Sequence, residues 1–146
     1  MGLFNTLNIS NSALQAERLR AEVAASNLAN AETTHTAQGG PYRKQSVVFG
    51  SARVAGSNFA ESLNSAGDAP ARGVRVERVV TDKTDPIRRY DPSHPDADKD
   101  GYVSYPNINP IAEMVDLMGA SRAYQMNVSA TQATKAMITS ALDILR

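Results

Sequence analysis

Four residues near the middle of the chain carry its most legible chemistry. Asp96, Asp98, Asp100 and Gly101 stand at positions 1, 3, 5 and 6 of a calcium loop, where alternate carboxylates wrap a cation and glycine makes the sharp turn. Position 12 of that pattern is Asn107 instead of a bidentate glutamate, and the preceding stretch is broken by prolines. The spacing therefore predicts a solvated acidic turn before a strand, with no metal. His94, between Ser93 and Pro95, has aspartates nearby but no G-x-S-x-G elbow to supply a nucleophile. It and His35, the only other histidine, read as loop residues. Gly39-Gly40-Pro41 has no strand before it and no helix after it, so it reads as a turn and not as a phosphate cradle. Met114, Met118, Met126 and Met137 fall on helix faces and read as packing residues, with no cofactor implied. Cysteine is absent, which excludes disulfides, thiolate chemistry and zinc–thiolate sites. Asn27 and Asn30 are more informative, because asparagine is a mediocre helix former and yet Asn27-Leu28-Ala29-Asn30 closes a helical pattern. Either Asn30 caps the helix, the simpler reading, or the two amides bond across a subunit contact and fix its register.

The elements that must hold these residues are mostly helical. Residues 12–30 read as a helix, with Ser12 and Gln15 fitting a capping box and no Gly or Pro before Gly39. Two apolar stripes run along it, one through Val23 and Leu19 and the other through Leu14 and Leu28. Residues 110–146 give the strongest pattern. Asn109 is placed to cap, Pro110 suits the first helical position, and Glu113 lies near the positive end of the dipole. One stripe is Leu117, Tyr124, Thr131, Ile138 and Leu145, with Val128 and Leu142 in support; a second runs through Met118, Met126, Met137 and Ile144. Between the helices, residues 42–49, 74–80 and 101–105 are strand candidates. Residues 51–72, mostly Ala, Ser, Gly and Asn, read as a long mobile loop, and residues 85–95, with three prolines, as an extended connection.

Composition sets the limits. The chain has 146 residues, enough for one ordinary domain, and its 15 basic and 15 acidic residues leave no electrostatic footprint for nucleic acid or anionic membrane. Residues 1–10 have neither the charged nor the apolar region of a secretory signal, and no apolar run of about 18 residues exists to span a bilayer. Tryptophan is absent and aromatics make up 5%. Alanine-rich helices bury little area, while ordering each backbone residue costs about 1–2 kcal/mol. Two such helices, each with a second apolar stripe, need burial from other chains.

These readings give an α+β chain: an N-terminal helix within 1–34, a small β-rich region at 35–106, and a C-terminal helix within 107–146. The two helices are expected to pack in a coiled-coil-like pair.

The segments Ala13-Leu14, Arg18-Leu19 and Ala25-Ser26-Asn27-Leu28-Ala29-Asn30-Ala31 resemble the N-terminal signature of flagellar rod and hook proteins. Glu113-Met114-Val115-Asp116, Ser121-Arg122-Ala123-Tyr124-Gln125 and Ala141-Leu142-Asp143-Ile144 resemble their C-terminal signature. Gly39-Gly40-Pro41-Tyr42-Arg43, His94-Pro95-Asp96-Ala97-Asp98 and Gly101-Tyr102-Val103 are similar to proximal-rod members, and the short middle argues against hook and distal-rod relatives. The resemblance implies a structural, non-enzymatic subunit of the flagellar basal-body rod, which crosses the periplasm as a drive shaft. It implies copies of itself and other rod proteins as partners, with no nucleic acid and no small-molecule substrate. It further implies export, uncut, through the flagellar type III apparatus. Subunit contacts are then expected at Leu14, Leu19, Val23, Asn27, Leu28, Asn30, Leu117, Tyr124, Val128, Met137, Ile138, Leu142, Ile144 and Leu145. A calcium module and a hydrolase centred on His94 are the competing classes, and neither has a complete set of residues.

Overall fold

The computed structural model describes residues 3–53 and 72–144. A helix, α1 (Leu3–Ala29), leads into strands β1 (Gln45–Arg53) and β2 (Arg72–Thr81), then β3 (Ile87–Tyr90) and β4 (Tyr102–Tyr105), and finally a second helix, α2 (Pro110–Ile144). The architecture is α+β, as expected. At 35 residues, α2 is about 52 Å long. Its start follows from its first residues: Asn109 Oδ1 accepts the amides of Ile111 (3.0 Å) and Ala112 (3.4 Å), and Pro110 has no amide to satisfy.

The first helix starts nine residues earlier than the capping box suggested. Ser12 is inside it. Its hydroxyl donates to the Ile9 carbonyl at 2.7 Å and accepts the Val74 amide at 3.1 Å, so the residue holds a strand and caps nothing. Asn5, Thr6, Asn8, Ser10 and Asn11 are individually weak helix formers, and their run disguised a helix that packing sustains.

β1 and β2 form an antiparallel hairpin from Gln45↔Thr81 to Arg53↔Arg72, with a bulge where Glu77 is the extra residue between Val48↔Arg78 and Phe49↔Val76. The strands therefore take the ends of the stretch expected to be a loop at 51–72, and the rest of it, 54–71, lies outside the described residues. Residues 87–90, expected as part of an irregular connection, instead form β3, paired antiparallel with β4. Pro86 and Pro92 sit outside the four-residue strand, so neither removes a ladder hydrogen bond.

α1 is the central element, packing against α2 and against both strands of the first hairpin; α2 packs on no other regular element. The apolar core of the described residues is small: Ala16, Ala24 and Ala120 within the helical layer, and Val103 and Ile108 beneath the second hairpin. That hairpin carries an aromatic–cation ladder, with Arg88 over the Tyr102 ring and Arg89 over the Tyr105 ring, each 5.2 Å from the centroid.

The acidic turn belongs to this hairpin. Asp98 Oδ1 accepts the amides of Asp100 (3.0 Å) and Tyr102 (2.8 Å), and its other oxygen meets Arg88 at 2.5 Å. Asp91 accepts from Ser93, Asp96 accepts the Thr34 hydroxyl at 2.6 Å, and the Asp96 amide donates to Nδ1 of His94 at 3.1 Å. Gly101 is required by the turn itself: its φ is 79°, and a Cβ would lie 2.9 Å from the Tyr90 ring. These carboxylates are committed to loop backbone and neighbouring side chains, which gives their spacing a structural reason. Gly39 and Gly40 likewise lie at positive φ in a turn closed by Thr36 and Gly40.

Candidate interaction surface

Small and polar side chains make the contact between the two helices. On α2, Glu113, Ala120 and Thr134 are buried at seven- and fourteen-residue intervals, with half-buried Asn127 continuing the row. The buried positions of α1 are Ser10, Ala16, Ala24 and Asn27. This heptad spacing is that of a coiled coil, but the residues at it are not its usual large apolar ones. Small side chains let the backbones approach closely while contributing little burial.

Polar ties compensate at one end. Asn27, 1% exposed, uses its whole amide inside the chain. Nδ2 donates to the Gln45 carbonyl (2.7 Å) and to Glu113 Oε2 (2.9 Å), while Oδ1 accepts the Gln45 amide (2.9 Å) and the Tyr42 hydroxyl (3.2 Å). Glu113 Oε1 pairs with Lys44 at 2.6 Å. One turn further along α2, Arg20 pairs with Asp116, and this partner is the main cause that raises the guanidinium pKa above its already high ordinary value. Around these groups lies a cleft of about 530 Å³, lined by Val23, Ala24, Val47, Phe49 and Ala112 as well as the paired charges.

The large apolar residues of α2 point away from the seam. Ile111, Val115, Met118 and Met126 recur at helical spacing and are exposed, Met126 to 66%; Met114, Met137 and Leu142 add to the surface. Among the residues expected at subunit contacts, Tyr124, Met137 and Leu142 are exposed, and Leu14, Leu19, Val23, Leu28, Leu117, Val128 and Ile138 are half-buried. Ile144 ends α2, and Leu145 lies outside the described residues.

Two of the expected contacts need correction. Asn27 is enclosed by its own chain, because all of its hydrogen bonds are made within it. Asn30 closes α1 locally: Nδ2 donates to the Ser26 carbonyl at 2.9 Å, and Oδ1 accepts the Thr33 hydroxyl at 3.1 Å. That is the capping role, not the cross-subunit one. Sequence reasoning missed Glu113, Lys44 and Arg20 as structural residues. A glutamate in the first turn of a helix is already explained by the dipole, so nothing prompted a search for its partner. Ile111 and Val115, prominent on the outer face, were also missed, because the stripes were begun further along.

A helix pair that hides small residues and displays large apolar ones defines an assembly subunit. A family model described as "Flagella basal body rod protein" matches residues 7–34, and one described as "Flagellar basal body rod FlgEFG protein C-terminal" matches residues 99–144. Over its full length the chain is 41% identical to the flagellar basal-body rod protein FlgC of Borreliella burgdorferi, with 100% of this chain and 99% of that protein aligned. It is 43% identical to FlgC of Bacillus subtilis, over 99% of each. The chain belongs to the flagellar basal-body rod proteins, in the FlgC family.

Proposed function

We propose that this chain is a structural subunit of the proximal rod, assembled through its terminal helices into the shaft that transmits torque across the periplasm. Its role is mechanical and includes no catalysis. The observation that carries this reading is the outer face of α2, where Ile111, Val115, Met118 and Met126 present large apolar side chains that the chain itself leaves uncovered. Covering that face with helices of adjoining subunits, whether copies of this chain or other rod proteins, supplies the burial that the alanine seam lacks. Of the contacts anticipated from the sequence, those at Tyr124, Met137 and Leu142 lie on this exposed surface, and the half-buried leucines and valines border it. The subunit reaches the rod through the flagellar type III apparatus with its N-terminus uncut.

Deleting residues 142–146 tests the reading. The truncated chain should still be made and exported, detected by immunoblot outside the cytoplasm, while electron microscopy finds no completed rods. Each large apolar side chain lost from a contact removes roughly 2–5 kcal/mol in every copy. Normal rods built from the truncated subunit would contradict the assignment of the helix surface.

A further inference from the structure

The ties between α2 and the rest of the chain are unevenly distributed. Among the described residues, every polar contact from an α2 side chain to another element lies in its first two turns: Glu113 with Asn27 and Lys44, and Asp116 with Arg20. Beyond Ala120 the pattern reverses. Asn127, Ser129, Thr131, Thr134 and Thr139 each donate to the carbonyl four residues back, at 2.9–3.1 Å, so these side chains bond their own helix and not α1. From residue 121 to residue 143 the only buried residue is Thr134. Few buried contacts and no cross-helix hydrogen bonds are the physical marks of a segment that opens at low cost.

We propose that Glu113, Asn27 and Lys44 form a latch, braced by Arg20 and Asp116, that fixes the start of α2 to α1 and the first hairpin while the distal part of α2 opens as a separate unit. The latch is chemically complete: each oxygen of Glu113 has a partner, and Asn27 is in turn held on both edges by the Gln45 backbone. The helix is therefore a lever attached at one end. This inference concerns the isolated chain and stands whether or not the outer face of α2 is a subunit contact.

Amide hydrogen exchange on the full chain at a concentration verified as monomeric tests it residue by residue. Amides at 115–120 should be protected at least about tenfold more than those at 126–142, the difference expected when a charge-assisted buried network guards only one segment. Glu113→Gln keeps the side-chain shape but removes the charge facing Lys44. It should reduce protection at 115–120 by about tenfold and leave 126–142 unchanged. Amides of β1 and β2 in the same spectra show that the variant is folded, and Asp116→Asn provides a second, milder lesion with the same expected pattern. Uniform protection along α2 in the unaltered chain would overturn the proposal without any variant. So would a loss in Glu113→Gln that is equal at both ends of the helix, which would make α2 one cooperative unit.

Discussion

Asn27 shows how much one amide can organise when it is taken out of water. It joins α1 to the entry of β1 through both backbone groups of Gln45, and to α2 through Glu113. Asn27→Ala would leave the Gln45 amide and the Glu113 carboxylate without partners in a buried site, a loss of about 2–4 kcal/mol. Asn30→Ala should cost about 1 kcal/mol, because it removes a half-buried cap alone. Urea unfolding midpoints measure both, and the ranking checks the division of roles between the two asparagines. At the acidic turn the readout is pH. Hydrogen bonds from Tyr102, then Arg88 and Asp100, hold the Asp98 carboxyl below its ordinary range. A depressed folded value means the contribution is complete above the unfolded value, near pH 4, and disappears as pH falls through the lower folded one. The Tyr102 amide shift in an NMR titration should therefore move with a midpoint below pH 4, and in Asp98→Ala that transition should vanish. Calcium added to the neutral protein should leave its melting temperature unchanged, since Asp98 already uses both oxygens on Tyr102, Asp100 and Arg88.

At the scale of elements, the first hairpin is held close to α1 by the absence of a side chain. A Cβ on Gly73 would lie 2.5 Å from Ser12 Oγ, the atom that accepts the Val74 amide. Gly73→Ala should thus displace the end of β2, at about 1–3 kcal/mol in thermal unfolding. Combining it with Ser12→Gly should recover part of that loss, because the obstructing hydroxyl is gone. The same contact marks where sequence reasoning stopped. Both helices were legible because periodicity and the Asn109–Pro110 start are local signals, and both hairpin strands were legible from their β-branched residues. β3 was not, since flanking prolines look the same beside a strand as within a loop. The start of α1 was not, since Ser12 has the same identity as a cap and as a mid-helix anchor for a strand 62 positions away. The outer face of α2 was partly legible, through Met118, Met126 and Met137. Its inner face was not, because apolar patterning gives no weight to Glu113, Asn127 and Thr134.

For the whole molecule, the two faces of α2 should respond oppositely to substitution. Met126→Asp, on a side chain 66% exposed, should leave the monomer's melting temperature within about 0.5 kcal/mol of the original. Motility should nevertheless be lost in cells that rely on that copy, since a charge would enter a desolvated contact. Ala120→Leu, at a position 0% exposed, should instead destabilise the monomer by about 1–3 kcal/mol before assembly is reached. Thermal unfolding and swimming assays on the same pair separate the two faces. The first hairpin also has a mechanical consequence. It is fastened to α1 at Ser12 through Val74 and at Asn27 through Gln45, points about 22 Å apart along the helix axis. A ribbon fixed at two points along a rod is a splint. Bending α1 between those points requires the paired strands to stretch or shear, so that stretch stays straight under load. Flexure is then concentrated where the splint ends, in the turns from Leu3 to Asn11.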